Sequence, residues 1–283
     1  MYESKEQIFY YHAYALGLGG IIERHGQKLA IPSIGSAALS SAGGEACVKS
    51  GPFEWAPPCE PQGGFSLSIG EVSSRLWSKE DDDYWTSEAE VRVSNFNLCN
   101  RVCVGLMVNR MTSQHKKRRS PTYDPAKDHQ PRITFSESQF FNVFVDGQRL
   151  DVTVNRALDQ CARYDELRGL IANDVANGGE FCRHNLLTIG NDGPEYVQDL
   201  ARKYISERYT RCSIINEIRR PEEARFEVYG YSIYIPDFGR IFFGELQAAD
   251  GMKRLNMLRW NLGCADCGDG TSCATDMNGV PMP

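Results

Sequence analysis

Three cysteines close to the end of the sequence have the spacing that most suggests a chemical site. Cys264, Cys267 and Cys273 lie in the segment GCADCGDGTSC, whose glycines would let the backbone wrap around an ion. Zinc favours cysteine pairs two residues apart, but a structural zinc site takes four ligands. A loop aspartate or a distant Cys or His would have to supply the fourth. We therefore expect no cofactor; the alternative hypothesis is zinc or iron at these cysteines, instead of a disulfide or free thiols.

A second candidate is the polar loop over residues 114–132, which has a histidine near each end. His115 and His129 enclose Tyr123, Asp124 and Asp128, a set from which a general base or a metal ligand could be drawn. No recognised ligand spacing connects these residues, so a solvated, exposed loop is the simpler interpretation. The sequence alone therefore identifies no catalytic residues.

Two short runs of opposite charge offer a different kind of contact. Electrostatic complementarity between neighbouring copies would favour head-to-tail assembly or binding of a protein partner. The alternative is that each run is a solvated loop. The acidic run consists of Glu80, Asp81, Asp82 and Asp83, and the basic run of Lys116, Lys117, Arg118 and Arg119.

Signatures of well-known enzyme classes are missing from the sequence. It contains no Gly-x-Ser-x-Gly, no Gly-rich Lys-Ser phosphate loop, no His-Glu-x-x-His and no dinucleotide fingerprint. The triplet Asp237–Gly239 follows a proline between two strand-like runs, which predicts a hairpin turn and not a kinase motif. Catalytic groups can converge in other orders, so an enzyme is not excluded.

Composition limits the class of protein. The chain has 283 residues, a net charge of −6 and ten cysteines. Mild acidity argues against a nucleic-acid binder that relies on overall charge. No apolar stretch of about 20 residues predicts a membrane-spanning helix, and no export signal is recognisable, so we expect a cytoplasmic protein with reduced thiols. The small-residue segment 33–46 leaves a pore-forming protein as a third functional hypothesis.

Alternating apolar residues predict a mostly β fold. From Ala89 the alternation follows the odd positions, and from Phe96 it follows the even ones, so a bulge or turn must lie near Ser94–Asn95 or Asn100–Arg101. Asp146-Gly147 between alternating runs predicts a hairpin. The block 226–262 predicts three strands joined by two turns.

Helical spacing occurs in one region only. Apolar positions over 156–176 and a proline-led segment over 194–209 predict a two-helix insert at about 156–210. We expect a single β domain over residues 1–283, an antiparallel β-sandwich or distorted barrel that carries this insert. Residues 263–283 are expected to form a Gly/Cys-rich tail.

Three stretches resemble an uncharacterised family of bacterial proteins without an assigned function. They are Val93–His115, Ile133–Val154 and Phe238–Gly270. The resemblance implies that these segments belong to one domain and that His12–Gly17 belongs with them. It supplies no activity and no catalytic residues.

The leading functional hypothesis is a non-enzymatic binding or self-assembling protein, a homo-oligomer or a partner of another protein. It depends on the missing catalytic signatures, the aromatic strands and the oppositely charged runs. The alternative is a metal-dependent hydrolase that uses the cysteine loop or the His115–His129 loop.

Overall fold

In the computed structural model the described residues are 8–24, 27–56, 65–186, 194–263 and 266–281, and they contain nineteen strands and three α-helices. The first twelve strands are β1 (Phe9–Arg24), β2 (Gln27–Ile34), β3 (Ala37–Ala38), β4 (Glu45–Ser50), β5 (Phe53–Trp55), β6 (Leu67–Ile69), β7 (Glu71–Glu80), β8 (Tyr84–Leu98), β9 (Val102–Lys116), β10 (Arg132–Thr134), β11 (Gln139–Val145) and β12 (Gln148–Val154). A 3-10 turn (Arg156–Gln160) and the helices α1 (Tyr164–Ala176), α2 (Glu180–Asn185) and α3 (Pro194–Glu207) follow. The remaining strands are β13 (Tyr209–Ser213), β14 (Ile215–Arg219), β15 (Glu227–Tyr229), β16 (Ser232–Ile235), β17 (Gly239–Ala249), β18 (Met252–Leu262) and β19 (Asp266–Pro281).

The strands form two antiparallel sheets that pack face to face. The first has the order β15-β16-β17-β18-β19-β1-β2, with β13 on β17 and β3 on β1. The second has the order β14-β12-β11-β9-β8-β6-β5, with β7 joining β8 to β4 and β10 on β9. Trp260 of the first sheet contacts Phe96 of the second, with ring centroids 5.7 Å apart. The β-sandwich is confirmed as the architecture; the expectation of a single domain stays a prediction.

In both sheets, some strands contain one left-handed residue at which the alternation undergoes a phase reversal, so that residues beyond it face the opposite side from the one that regular alternation would give. These residues lie along a line across each sheet. In the second sheet the line passes through Asn95 and Asn142, which are left-handed with φ of 49° and 53°. In the first it passes through Cys273 and Gly244, with φ of 57° and 59°. The ladders skip these residues while the pairing on either side keeps its register. The irregularity predicted near Ser94–Asn95 is therefore confirmed, and it belongs to a feature of the whole sandwich.

The predicted turns form for the expected local reasons. Asp146 and Gly147 have φ of 50° and 74° and close the β11–β12 hairpin, where Val145 pairs with Gln148. The predicted strand over 226–235 is divided, because Gly230 is left-handed (φ 55°) and starts a turn between β15 and β16.

Residues 266–281, expected as part of a tail, form strand β19 at the centre of the first sheet, between β18 and β1. The glycines there accommodate close neighbours. A Cβ atom on Gly270 would lie 2.0 Å from Cζ2 of Trp260, and one on Gly268 would lie 2.7 Å from the Ile21 carbonyl oxygen. Glycine in this strand thus reflects close packing across the sheet.

The described part of the insert, 156–186 and 194–210, contains one helix more than predicted. α1 ends at Ala176 with Asn177 as its C-cap, and the left-handed Gly178 and Gly179 (φ 106° and 72°) lead directly into the short helix α2. Asp174 caps α2, since its Oδ1 and Oδ2 accept hydrogen bonds from the backbone N–H groups of Phe181 and Cys182 at 3.0 and 2.8 Å. Within the described ranges no helix combines the length and the apolar character needed to cross a membrane.

A buried lysine connects the first sheet to the base of the insert. Lys253 lies on the inner face of β18, and its Nζ donates hydrogen bonds to the carbonyl oxygens of Ile133 (2.8 Å) and Cys161 (2.6 Å). Burial lowers the pKa of Lys253 to about 8.

This lowered pKa makes a pH-dependent contribution to stability. Because the folded-state pKa lies below the unfolded value, the native state releases its proton first as the pH rises. We expect the free energy of unfolding of the wild type, relative to Lys253→Met, to increase between pH 8 and 10.5 by up to about 3 kcal/mol. Urea unfolding of both proteins across this range is the measurement, since contributions from other titrating groups cancel in the difference. A difference that is flat with pH would contradict a buried ammonium group.

Candidate functional site

A groove of about 500 Å³ lies on the first sheet, on the face turned away from the second sheet. Leu255 and Trp260 point into the sandwich interior, so the residues that alternate with them point outward. Cross-strand pairing places Glu245 beside Asn256 on this outer face. It also places Gln247 between Arg254 of β18 and Arg211 of β13. Six strands of the first sheet contribute to the lining.

The base of the groove contains a carboxylate buried between two arginines. Oε2 of Glu245, a fully buried side chain, accepts hydrogen bonds from Nε and Nη2 of Arg259 at 3.1 and 2.9 Å. Its Oε1 accepts from Nη2 of Arg211 at 3.0 Å. The guanidinium of Arg259 also lies 3.8 Å from the centroid of the Phe242 ring, which adds a cation–π contact. These contacts hold both guanidinium groups in fixed positions.

The phase reversal brings this cluster together. Residues three apart in a regular strand face opposite sides, yet Phe242 and Glu245 share the outer face because left-handed Gly244 lies between them. Arg259 is paired with Phe242 across the ladder and therefore reaches Glu245 as well. A Cβ atom at Gly244 would lie 2.7 Å from Cγ1 of Ile214, so close packing also favours glycine there.

Several polar groups of the groove lack a hydrogen-bond partner in the described part of the chain, among them the buried Nε of Arg211. Asn256 is only 4% exposed, and its Oδ1 accepts no hydrogen bond from any described residue. Arg254, its neighbour in β18, makes no hydrogen bond or ion pair with the described residues. A buried amide oxygen without a partner is unfavourable by about 1–3 kcal/mol, so a ligand or water is expected to satisfy it.

Asp276 extends the polar surface beside the groove. It pairs with Arg254 across β18–β19, and its Oδ1 is buried without a partner among the described residues. Burial raises the pKa of Asp276, an effect that the charges of Arg254 and His12 oppose.

Of the three cysteines of the predicted metal loop, Cys273 is the one whose side chain lies among the described residues. Cys264 lies outside the described residues, as does the side chain of Cys267. The Cys273 thiol is buried toward the second sheet, where its Sγ donates to the Val91 carbonyl oxygen at 3.4 Å. Burial raises its pKa, which favours the neutral thiol over the metal-binding thiolate. Metal binding at this loop stays a prediction; in the described ranges no three His, Cys, Asp or Glu side chains are grouped as ligands.

The two histidines of the predicted loop lie in different surroundings. His115 is buried at the end of β9 with its ring centroid 4.7 Å from that of Phe9, and burial lowers its pKa to about 4. His129 is about half exposed, with Nε2 3.6 Å from an Asp165 oxygen of α1. Asp128 forms ion pairs with Lys116 (3.3 Å) and with an arginine of the insert, Arg163 (2.7 Å). The loop is thus anchored to the fold by ion pairs.

The two charged runs meet within one chain. Lys117, a buried residue, donates to Glu80 Oε1 at 2.6 Å and to the Asp81 carbonyl oxygen. The hydrogen bond from Lys117 is the largest of the effects that lower the pKa of Glu80. Arg119 also approaches Glu80, at 4.0 Å, but its side chain is exposed. Asp82 and Arg118 are exposed too. Assembly of copies through these runs stays a prediction.

A second cavity, of about 670 Å³, lies between α2, β14 and the β15–β16 turn. Its main polar groups already have partners. Both Asp174 oxygens cap α2, and the Asn185 amide donates to the carbonyl oxygens of Ser213 (3.1 Å) and Ile215 (2.7 Å). The groove, with its unpartnered buried amide, is therefore the stronger candidate site.

The groove residues belong to no sequence motif. The lining residues Glu245, Arg254, Asn256 and Arg259 all lie in the block 226–262, whose pattern predicts three strands and no site. The available signal was a glutamate and an asparagine within otherwise apolar strand sequence, in FFGELQ and RLNMLR. Polar residues at such positions need partners from elsewhere in the fold.

Comparison with known proteins gives one match. The chain matches the family described as Domain of unknown function (DUF8256) over residues 9–170 and 194–249. A search of curated proteins found no match, and a search of solved structures found none either. The predicted likeness to a family without an assigned function is confirmed, and because the match covers most of the sequence, the chain belongs to the DUF8256 family.

Proposed function

We propose that this protein is a non-enzymatic binding protein that holds a small polar ligand in the groove on the outer face of its first sheet. The observation that carries the proposal is Asn256, a side chain 4% exposed that lines the groove with an unpartnered amide oxygen. Buried polar groups are normally hydrogen-bonded, so this oxygen marks the place of a missing donor.

The ion cluster supports binding over catalysis. Glu245 holds Arg211 and Arg259 in fixed orientations, which suits a rigid, preformed site. A preformed site loses little conformational entropy when it binds its ligand, because its side chains are already fixed.

Filling the groove tests the proposal. A Cβ atom on Gly19 would make only ordinary contacts, 3.4 Å to Leu16 Cδ2 and 3.6 Å to Ser33 Oγ, and both of these residues line the groove. Gly19→Leu should therefore place an apolar side chain in the site without backbone strain. The matched control is Gly51→Leu, since a Cβ there meets nothing within 4 Å and the residue lies outside the groove.

The measurement is ligand-observed NMR against a library of water-soluble sugars, organic acids and amino acids. We expect at least one compound to bind the wild type and Gly51→Leu, and to bind Gly19→Leu at least about tenfold more weakly, a loss of about 1.4 kcal/mol. Binding that survives Gly19→Leu, or a library without any hit on the wild type, would count against the groove as the functional site.

A further inference from the structure

The three arginines of the groove are not equivalent. Arg259 directs both Nε and Nη2 at Glu245, and Arg211 directs Nη2 at the same carboxylate. Arg254 alone among the three has no hydrogen bond or ion pair within the described part of the chain. Its guanidinium is therefore the group available to an incoming anion, and arginine matches the planar geometry of a carboxylate.

The charges of the groove favour the same kind of ligand. Among its described lining residues the three arginines face two carboxylates, Glu245 and Asp269, which leaves one positive charge in excess. Glu245 is already shared by Arg211 and Arg259, and Asp269 Oδ1 lies 3.9 Å from Nη1 of Arg259 and accepts a hydrogen bond from Asn261 at 2.9 Å. These two carboxylates thus offset the charges of Arg211 and Arg259. Asp276, the cross-strand neighbour of Arg254, lies outside this lining, and burial raises its pKa, which disfavours the ionised form that would compete for Arg254. An anionic ligand would therefore neutralise the excess charge at Arg254.

The remaining lining side chains are suited to hydroxyl groups. Asn256 Oδ1 needs a donor, and the Ser33 hydroxyl lines the same groove. The Thr271 hydroxyl donates to the Leu258 carbonyl oxygen at 3.2 Å and can still accept, and the Gln247 amide, which donates to Glu245 Oε1 at 3.4 Å, keeps its carbonyl oxygen as an acceptor. Leu16 is the single aliphatic side chain among the described lining residues, so little apolar surface is offered. Hydrogen-bond donors and acceptors that lie side by side match a ligand with several hydroxyls, because each hydroxyl can both donate and accept.

We infer that the ligand is a polyhydroxylated carboxylic acid, a sugar acid in chemical class, whose carboxylate pairs with Arg254 and one of whose hydroxyls donates to Asn256 Oδ1. This inference rests on the proposed function and specifies the ligand class for the same groove. A groove of about 500 Å³ has room for a ligand of that size.

The test compares three probes by isothermal titration calorimetry: D-glucuronate, the neutral D-glucose, and acetate, which lacks hydroxyls. We expect the wild type to bind glucuronate at least about tenfold more tightly than either of the others. In Arg254→Gln the preference over glucose should fall to less than about threefold. The matched control is Arg202→Gln, which removes the same charge from an exposed position on α3 and should leave the preference unchanged.

The outcomes separate this inference from the proposed function. Equal binding of glucose and glucuronate would overturn the role of Arg254 and leave a binding groove in place. Loss of the preference in both variants would show that net charge, not Arg254, causes it. If none of the probes binds, the sugar-acid class is overturned, while the library screen with Gly19→Leu decides separately whether the groove binds any ligand. Thermal melting of each variant checks that it is folded.

Discussion

Replacing Glu245 with Gln is expected to lower the free energy of unfolding by about 3 kcal/mol, because removing one member of a buried ion cluster leaves the other charges uncompensated. Glu245 is fully buried, and its two oxygens accept three hydrogen bonds from Arg211 and Arg259. A glutamine keeps one acceptor but brings an NH₂ group toward a guanidinium. The two cations would then repel each other at the base of the groove, and part of their hydrogen bonding would be lost.

The matched control is an exposed ion pair of the same kind. Glu45 and Arg75 lie 2.8 Å apart, and both side chains are more than half exposed. Glu45→Gln should change the free energy of unfolding by less than about 1 kcal/mol, since water screens the pair. Urea unfolding of the two variants and the wild type gives the comparison. Equal losses in both variants would mean that burial of the Glu245 cluster has no special energetic role.

How far the fold can be predicted from sequence depends on whether one face of a strand is exposed. In β8 the exposed face is polar, so the phase change at Asn95 is visible as a shift of the apolar residues from odd to even positions. In β17 every residue from Ile241 to Leu246 is buried, so the same change at Gly244 leaves no trace in the alternation. Since that reversal assembles the ion cluster, the candidate site stays hidden in the sequence.

Composition misled the expectation for the end of the chain for a related reason. A stretch rich in glycine, aspartate and small residues is typical of a loop or tail, yet 266–281 is a central strand. Gly270 is required by Trp260, which lies ten residues earlier and on the adjacent strand. Such a requirement comes from a contact across the sheet, and the local sequence does not contain it.

Residue type alone does not indicate whether a side chain is accessible for chemistry. Cysteines and histidines have distinctive chemistry, but burial raises the pKa of the Cys273 thiol and lowers the pKa of the His115 imidazole, so both stay neutral side chains of the interior. The two charged runs are opposite in sign, which is visible in the sequence. The sequence alone could not indicate whether they meet within one chain, as Lys117 and Glu80 do, or between chains.

Asn109 is the second position where a large effect is expected, because it joins the two sheets at the phase reversal. It lies on β9, fully buried, and its Nδ2 donates to the carbonyl oxygens of Leu255 (2.9 Å) and Cys273 (2.8 Å) on the opposite sheet. Its Oδ1 accepts from Thr275 Oγ1 at 2.9 Å. The ladder between β18 and β19 is interrupted beside these carbonyl groups, where it skips Cys273. A side-chain amide thus supplies donors from the other sheet at this interruption.

Asn109→Leu is therefore expected to lower the free energy of unfolding by about 3–5 kcal/mol, since it removes two hydrogen bonds to buried carbonyl oxygens and leaves the Thr275 hydroxyl with the weaker acceptor Met111 Sδ, at 2.7 Å. Leucine has a similar size, so the loss reflects hydrogen bonding and not a cavity. Asn173→Leu is the control, because that side chain is exposed on α1 and should change stability by less than about 0.5 kcal/mol. Urea unfolding measures both. A loss at Asn109 no larger than at Asn173 would mean that water replaces the amide between the sheets, and the interruption would then need no side-chain donor.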